Sequence, residues 1–378
     1  MVRPRPARLE RLPEQYFTVL LARVAEAAAQ AGEPLLDLGR GNPDVPPPAH
    51  VVEALRRAAG APEAHGYPPF AGLPELKEAL AARYGAVYGV ELDPDREIAV
   101  VPGTKTAIVE LALCLAERGD AVLLPDPGYP DYTSGVALGA ARELRVRLDP
   151  DAGFAPDLPS APREGVAALY LNYPSNPCAA TAPAGVFRAA VDYAEATGAA
   201  VVHDFAYADL VFDGRRPQSF LAEPGAKEVG VEMFSMSKSY GMAGWRLGFV
   251  VGNAEIVARV DVLQDHARAG IFRPVQEAAI VALSGPQDTV EERRALYEAR
   301  RDRVVAALPG ARSEGTFFVW WLLPEGLTAE RLLTEQRVAV APGEGFGPAG
   351  DGWARISLAT PDERLDAGLD RLRVAVGA

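Results

Sequence analysis

The stretch Phe234–Phe249 reads FSMSKSYGMAGWRLGF and holds one lysine, Lys238, in a loop rich in glycine and small residues. An apolar run lies on each side of it, GVEMFSM before and RLGFVVG after. Short apolar runs bounded by turn residues are typical of strands that are buried on both faces. We therefore predict a strand, a tight loop that holds Lys238, and a second strand.

The same rhythm extends upstream, where short apolar runs alternate with helical segments from about residue 97 onwards. This pattern predicts a mostly parallel sheet covered by helices on both faces, the architecture of an α/β protein. In such sheets the functional loops lie at the carboxyl ends of the strands. Five loops are expected to meet there: 102–106, 125–132, 172–178, 203–207 and 235–246.

The last third of the chain has a different pattern. A long helical region, about 253–306, is interrupted twice, and strand-like segments, a helix over 328–336 and a final helix from about 361 follow it. We predict a smaller α+β domain here. The expected division is an N-terminal arm over 1–45 that packs with the small domain, a large domain over 46–270 and the small domain over 271–378.

Composition limits the classes of function. The 378 residues carry a formal charge of −13, which makes nucleic acid and anionic membranes poor partners. The two cysteines are far apart, and no apolar run reaches the length of a membrane span, so a cytoplasmic location is expected. His203 and Asp204 are adjacent, but no third ligand is spaced nearby, and no metal site is predicted.

Lys238 is expected to be a nucleophile. A lysine in a partly dry pocket has its charged form disfavoured, and the resulting neutral amine forms Schiff bases with carbonyl compounds. Arg246 presents a planar fork suited to phosphate, and Ser235 and Ser237 add hydroxyl groups. A ligand that carries both an aldehyde and a phosphate would use all four side chains. Pyridoxal 5'-phosphate is that ligand.

The other loops supply residue types that this cofactor requires. Asp204, at the end of a predicted strand, would hold a proton on the pyridine nitrogen. Tyr207 and Asn176 are candidate partners of the phenolic oxygen, and Tyr129 offers a face on which the ring can stack. The phosphate needs backbone N–H groups at a helix start, which are expected from Gly103, Thr104 and Lys105.

The lysine motif SMSKSYGMAGWRLGF resembles the S-x-S-K…G-x-R-x-G signature of fold-type I, class I/II pyridoxal-phosphate aminotransferases. The resemblance covers nearly the whole chain. It implies that Lys238 bonds covalently to the cofactor and that Asp204 and Tyr207 assist catalysis. It also implies that the cofactor is bound by the other residues named above: Ser235, Ser237, Arg246, Asn176, Tyr129, Gly103, Thr104 and Lys105.

Further residues match family positions outside the lysine motif. Tyr67 matches a tyrosine that reaches the phosphate in the neighbouring subunit, which implies a homodimer with shared active sites. Arg355 matches the arginine that binds the substrate α-carboxylate, together with Asn176, and Gly41 lies in the loop that closes over the substrate. The segments PDPGYPDY and LNYPSNP are similar to those of bacterial methionine-salvage aminotransferases.

The resemblance implies amino-group transfer between an L-amino acid, which is methionine-, glutamate- or glutamine-like, and a 2-oxo acid. Cys178, Ala179 and Gly270 depart from the family pattern, and Arg40 stands where many members have a small or apolar residue. Arg40 either faces the substrate, where it could pair with a distal carboxylate or a phosphate, or is a surface arginine on a mobile loop. These departures leave open a second reaction class, α,γ-elimination or β/γ-replacement. A ligand-sensing module of a transcription regulator is the non-enzyme alternative, but the arm is too short for a DNA-binding domain.

Overall fold

The computed structural model describes residues 5–377, and a large sheet of eight strands forms the centre of these residues. The strands follow across the sheet in the order Ile98–Val101, Gly248–Gly252, Gly230–Ser235, Ala200–Asp204, Val166–Asn172, Ala121–Asp126, Arg142–Asp149 and Ala155–Pro156. The strand Gly248–Gly252 runs antiparallel to both of its neighbours, and the short edge strand Ala155–Pro156 is also antiparallel. The other pairings are parallel, which confirms the predicted mostly parallel α/β fold.

Helices cover both faces of this sheet. Alternate residues of one strand enter different cores: Ile98 and Val100 pack into one, Ala99 and Val101 into the other. This burial on both faces explains why the strands are continuously apolar. The helices lie at Ala7–Glu10, Tyr16–Ala29, Ala49–Ala59, Pro74–Arg83, Thr104–Leu115, Tyr132–Gly139, Val186–Thr197, Ala226–Val229, Met236–Ser239, Ala254–Ala267, Arg273–Ser284, Asp288–Ala307, Ala329–Glu335 and Asp362–Val376. Within residues 5–377, none of them combines the length and the hydrophobicity needed to cross a membrane.

One strand of the sheet, Arg142–Asp149, was not predicted from the sequence, although Leu144, Val146 and Leu148 alternate with charged residues as in a half-buried strand. Arg142–Asp149 contains arginines and acidic residues, and only Val146 and Leu148 are buried. It pairs with Ala121–Asp126 on one side and with a two-residue edge strand on the other. Because the strand lies next to the edge of the sheet, most of its side chains reach solvent, and the apolar run typical of a central strand is absent.

The C-terminal part of the chain builds a second, antiparallel sheet with the strand order Ala311–Arg312, Phe318–Leu322, Trp353–Ser357 and Ala341–Pro342. We expected the strand-like segment VAVAP, residues 338–342, to be one strand, but this is wrong in detail, because Val338–Ala339 pairs in parallel with Leu36–Asp37 of the N-terminal arm. Val340 separates it from Ala341–Pro342, which belongs to the antiparallel sheet.

The helix Arg273–Ser284 packs against the helices Ala49–Ala59 and Pro74–Arg83 and shares their apolar core. It therefore contacts elements from the first third of the chain. The predicted domain boundaries at residues 45 and 270 stay a prediction.

Candidate active site

The five predicted loops meet at one edge of the large sheet, because the strands that precede them all run in the same direction. A cavity of about 490 Å³ lies at this edge. The predicted residues that line it are Arg40, Gly41, Thr104, Lys105, Tyr129, Asn176, Asp204, Tyr207, Ser235, Ser237, Lys238, Arg246 and Arg355. Of the remaining two, Gly103 lies beneath Arg246, and Tyr67 is on the surface with 86% of its area exposed.

Lys238 lies in the short helix Met236–Ser239, directly after the strand Gly230–Ser235, and its amine points into the cavity. The Nζ atom lies 5.1 Å from the ring centre of Phe317 and 5.7 Å from that of Tyr207. The pKa of Lys238 is lowered to about 8, mainly by burial and also by the cations of Arg355 and Arg246, while Asp204 has a smaller opposite effect. Near neutral pH, a usable fraction of this lysine is therefore the neutral, nucleophilic amine.

Asp204 ends the strand Ala200–Asp204, and its carboxylate is buried and well held. The Tyr132 hydroxyl donates to Oδ2 at 2.8 Å, and the Ala206 N–H donates to Oδ1 at 3.1 Å. The pKa of Asp204 is raised, because burial outweighs these two hydrogen bonds. A carboxylate in this state gains from a cationic partner in the cavity, and a protonated ring nitrogen is such a partner.

Two polar residues around Asp204 were not predicted from the sequence. Tyr132 is fully buried, and its ring packs edge-on against that of Tyr129, with 5.6 Å between the ring centres. Asn172 donates to the Asp204 carbonyl at 2.7 Å and accepts from the Asn176 N–H at 2.7 Å. Tyr132 lies three residues after Tyr129, at the start of a helix, and side chains at this spacing contact each other. That spacing was the one available indication that Tyr132 belongs to the site.

Donors for an anion converge at the other end of the cavity. The helix Thr104–Leu115 begins at Gly103, which has φ +85° and supplies no side-chain cap. Arg246 packs so closely over this turn that a Cβ atom on Gly103 would lie 2.4 Å from Nη2. The Ser235 hydroxyl accepts from the Ser237 N–H at 3.2 Å. This hydrogen bond fixes the segment that carries both serines. The uncapped helix start, the two serines and the guanidinium form a donor set that fits a phosphate group.

Lys105 lies at this end of the cavity but directs its ammonium elsewhere. The Nζ atom is 2.8 Å from the carboxylate of Asp131, and about half of the lysine side chain is exposed. Any contribution of Lys105 to an anion in the cavity therefore comes from its main-chain N–H.

Arg355 reaches the cavity from the strand Trp353–Ser357 of the small sheet, and it is 1% exposed. Its Nη1 donates to Asn176 Oδ1 at 2.7 Å, and its Nη2 donates to the Gly39 carbonyl at 3.2 Å. The ring centre of Phe318 lies 3.9 Å from Cζ. Burial lowers the pKa of Arg355 to about 10, so the guanidinium stays charged at neutral pH and suits a carboxylate.

An apolar wall that was not assigned from the sequence closes one side of the cavity. It comes from the helix Tyr16–Ala29, which presents Phe17, Leu20, Leu21 and Val24. The spacing of these residues at three and four positions was a signal for one face of a helix, but it did not indicate what that face contacts.

The departures at Cys178 and Ala179 lie outside this cavity. Cys178 is buried against the cluster that includes Trp320, and Ala179 takes φ +55° and donates its N–H to the Ser175 carbonyl. They change the turn that follows Asn176. In residues 5–377 no group of three or more metal-binding side chains occurs, and His203 faces Glu232 at 2.8 Å.

Comparison with known proteins identifies the family. The model of the family "Aminotransferase class I and II" matches residues 33–372. The chain is 45% identical to L-glutamine–4-(methylsulfanyl)-2-oxobutanoate aminotransferase of Bacillus subtilis (strain 168), over 94% of this chain and 92% of the relative. It is 41% identical to LL-diaminopimelate aminotransferase of Desulforudis audaxviator (strain MP104C), over 98% and 97%.

A solved structure has the same fold. The substrate-bound structure of BacF from Bacillus subtilis superposes with a TM-score of 0.94 at 36% identity, and the match covers 99% of this chain and 98% of that one. These relatives are named aminotransferases or transaminases, which supports amino-group transfer and not the elimination or replacement alternative. The predicted resemblance is confirmed: the chain belongs to the class I and II aminotransferases, and it is a pyridoxal-phosphate-dependent enzyme that transfers amino groups.

Proposed function

We propose that this enzyme moves the amino group of an L-amino acid with a methionine-, glutamate- or glutamine-like side chain to a 2-oxo acid, with Lys238 as the catalytic lysine. The observation that carries the assignment is that Lys238, Asp204 and Arg355 line one cavity. Burial in this cavity lowers the pKa of Lys238 to about 8, which favours the neutral amine. The similarity to a glutamine-dependent aminotransferase and to diaminopimelate aminotransferases supports the substrate class.

The donor set at the helix start would hold the phosphate of the cofactor: Gly103, Thr104 and Lys105 through main-chain N–H groups, and Ser235, Ser237 and Arg246 through side chains. Asp204 would hold the ring nitrogen, Tyr207 and Asn176 the phenolic oxygen, and Tyr129 the face of the ring. When bound, pyridoxal phosphate accepts the amino group and stabilises the negative charge that develops at the substrate Cα.

The protein groups supply binding and proton transfer. Arg355 binds the substrate α-carboxylate through two parallel N–H donors, which fixes the orientation of the Cα–H bond. The Lys238 amine, neutral and close by, would remove the proton from the substrate Cα and deliver it to the cofactor carbon that receives the amino group. The apolar wall of the helix Tyr16–Ala29 and the loop at Gly41 exclude water from this site.

The test is a half-reaction with one amino acid at a time. Purified enzyme loaded with the cofactor is mixed with glutamate, glutamine, methionine or S-adenosylmethionine, without any 2-oxo acid. Stoichiometric formation of pyridoxamine phosphate and the matching 2-oxo acid from the first three supports the proposal. Release of an elimination product, or no conversion with any of them, contradicts it.

We also propose a homodimer in which Tyr67 completes the site of the neighbouring subunit. Its exposed ring and its position outside the cavity of its own chain support this arrangement. Mixing Tyr67→Ala and Lys238→Ala subunits tests it, because one site in each hybrid dimer then has both wild-type residues. Half of the randomly mixed dimers are hybrids, and each has one intact site of two, so recovery to about a quarter of wild-type activity is expected if the sites are shared. No recovery would contradict shared sites. A cytoplasmic location stays a prediction from composition.

A further inference from the structure

Arg40 lies beside the residue that is proposed to bind the substrate α-carboxylate. Its two chain neighbours both approach Arg355: the Gly39 carbonyl accepts from Nη2 at 3.2 Å, and a Cβ atom on Gly41 would lie 3.4 Å from the same nitrogen. Arg40 lines the same cavity. A second arginine therefore lies next to the one that is proposed to hold the α-carboxylate.

Arg40 is a cation of this cavity for which the described part of the chain supplies no partner. Within residues 5–377 it has neither an ion pair within 4 Å nor a side-chain hydrogen bond, and it is exposed. By contrast, Lys105 pairs with Asp131, Arg355 donates to Asn176, and Arg246 donates to the Ala243 carbonyl at 2.9 Å.

A carboxylate from the same part of the chain does not neutralise Arg40. Asp37 also lines the cavity, but its Oδ1 accepts from the Gly39 N–H at 2.9 Å, and it forms no ion pair with Arg40. The other carboxylate in the cavity, Asp204, is held by Tyr132. The Arg40 guanidinium is thus available to a ligand.

The rest of this side of the cavity is apolar. Leu20, Leu21 and Val24 present aliphatic surface from the helix Tyr16–Ala29. A ligand that fits both features has an aliphatic stem for this wall and an anionic end for the guanidinium. An arginine suits a terminal carboxylate because its planar fork matches the two oxygens.

We propose that Arg40 determines specificity by binding the distal carboxylate of the substrate, so that the preferred amino donors have an aliphatic side chain that ends in a carboxylate. This inference rests on the proposed function of the site. Because Arg40 is exposed, a charge-assisted hydrogen bond to its guanidinium is expected to change kcat/KM by about tenfold.

The experiment compares kcat/KM for aspartate, glutamate and 2-aminoadipate with kcat/KM for the neutral glutamine and methionine. Arg40→Gln is expected to lower kcat/KM about tenfold for the preferred acidic substrate and to change it less than about twofold for the neutral ones. Arg40→Lys keeps the charge and retains part of the preference. Arg23→Gln, on the neighbouring helix surface and paired with Glu330, is the matched control and leaves all values unchanged.

A binding measurement separates this inference from the proposed function. Calorimetry of the cofactor-loaded enzyme with glutarate and with butyrate needs no turnover. In the wild type glutarate binds more tightly than butyrate, and Arg40→Gln weakens only glutarate, by about tenfold. Equal loss for both ligands, or a wild-type enzyme with no preference for glutarate, overturns the inference even when neutral amino acids are transaminated. Failure of the half-reaction with every amino acid overturns the proposed function instead.

Discussion

Replacing Lys238 by methionine is expected to stabilise the cofactor-free protein at neutral pH. The lysine carries its charge in a largely desolvated cavity near two arginines, and its pKa is lowered from 10.5 to about 8. That difference corresponds to about 3 kcal/mol. Because the cavity is open to solvent, we reduce the expected gain to about 2 kcal/mol. Methionine has a similar length and no charge, so it removes this cost and loses little packing.

The gain depends on pH in a defined window. Between about pH 8 and 10.5 the unfolded chain keeps a proton on this lysine that the folded chain has lost, so wild-type stability rises with pH. Below pH 8 both states are protonated, and the advantage of Lys238→Met is complete. Above 10.5 both are neutral, and the advantage disappears.

The assay is urea unfolding of both cofactor-free proteins at one protein concentration, at about pH 7 and at about pH 10.5. Lys238→Arg is the control, since it keeps a cation in the cavity and is expected to bring no gain. A variant that is no more stable than the wild type at pH 7, or a gain that is the same at both pH values, would refute this reasoning.

Three further predictions concern other parts of the chain. Tyr132→Phe removes the hydrogen bond that lowers the pKa of Asp204 most, so that pKa rises further and the affinity for pyridoxal phosphate, measured by spectroscopic titration, falls about tenfold. Arg355→Lys replaces a fork by a point charge, and kcat/KM for any accepted amino acid falls on the order of 100-fold. Ala140→Gly stabilises by about 1 kcal/mol, because Ala140 ends a helix at φ +59°, a conformation that favours glycine. Ala137→Gly, within the same helix, is its control and destabilises by a similar amount.

Each of these predictions has a clear contrary result. Unchanged cofactor affinity in Tyr132→Phe would mean that Asp204 does not depend on the tyrosine. An Arg355→Lys enzyme with normal kcat/KM would remove the arginine from carboxylate binding. A lower free energy of unfolding in Ala140→Gly would show that the backbone conformation of Ala140 does not destabilise the native state.

The sequence predicted those features that depend on a local pattern of residue types, such as strands buried on both faces. Continuous apolar runs mark central strands, and the direction of those strands brings the loops around Lys238 and Asp204 to one edge. The sequence was uninformative where function depends on a contact between distant segments. The hydroxyl of Tyr132 matters because it reaches Asp204, 72 residues away, and the helix Tyr16–Ala29 gives no sign of the cavity that it covers. The near-edge strand Arg142–Asp149 was missed because it alternates apolar and charged residues instead of forming the continuous apolar run that marks the central strands.

The central claim is that Lys238 bonds covalently to pyridoxal phosphate. Reduction of the loaded enzyme with borohydride, followed by proteolysis and mass spectrometry, tests it most directly. We expect the peptide that contains residue 238 to carry the mass of the reduced cofactor and the Lys238→Ala protein to carry none. An unmodified Lys238 in a protein that has bound the cofactor, or the same label on another lysine, would contradict it.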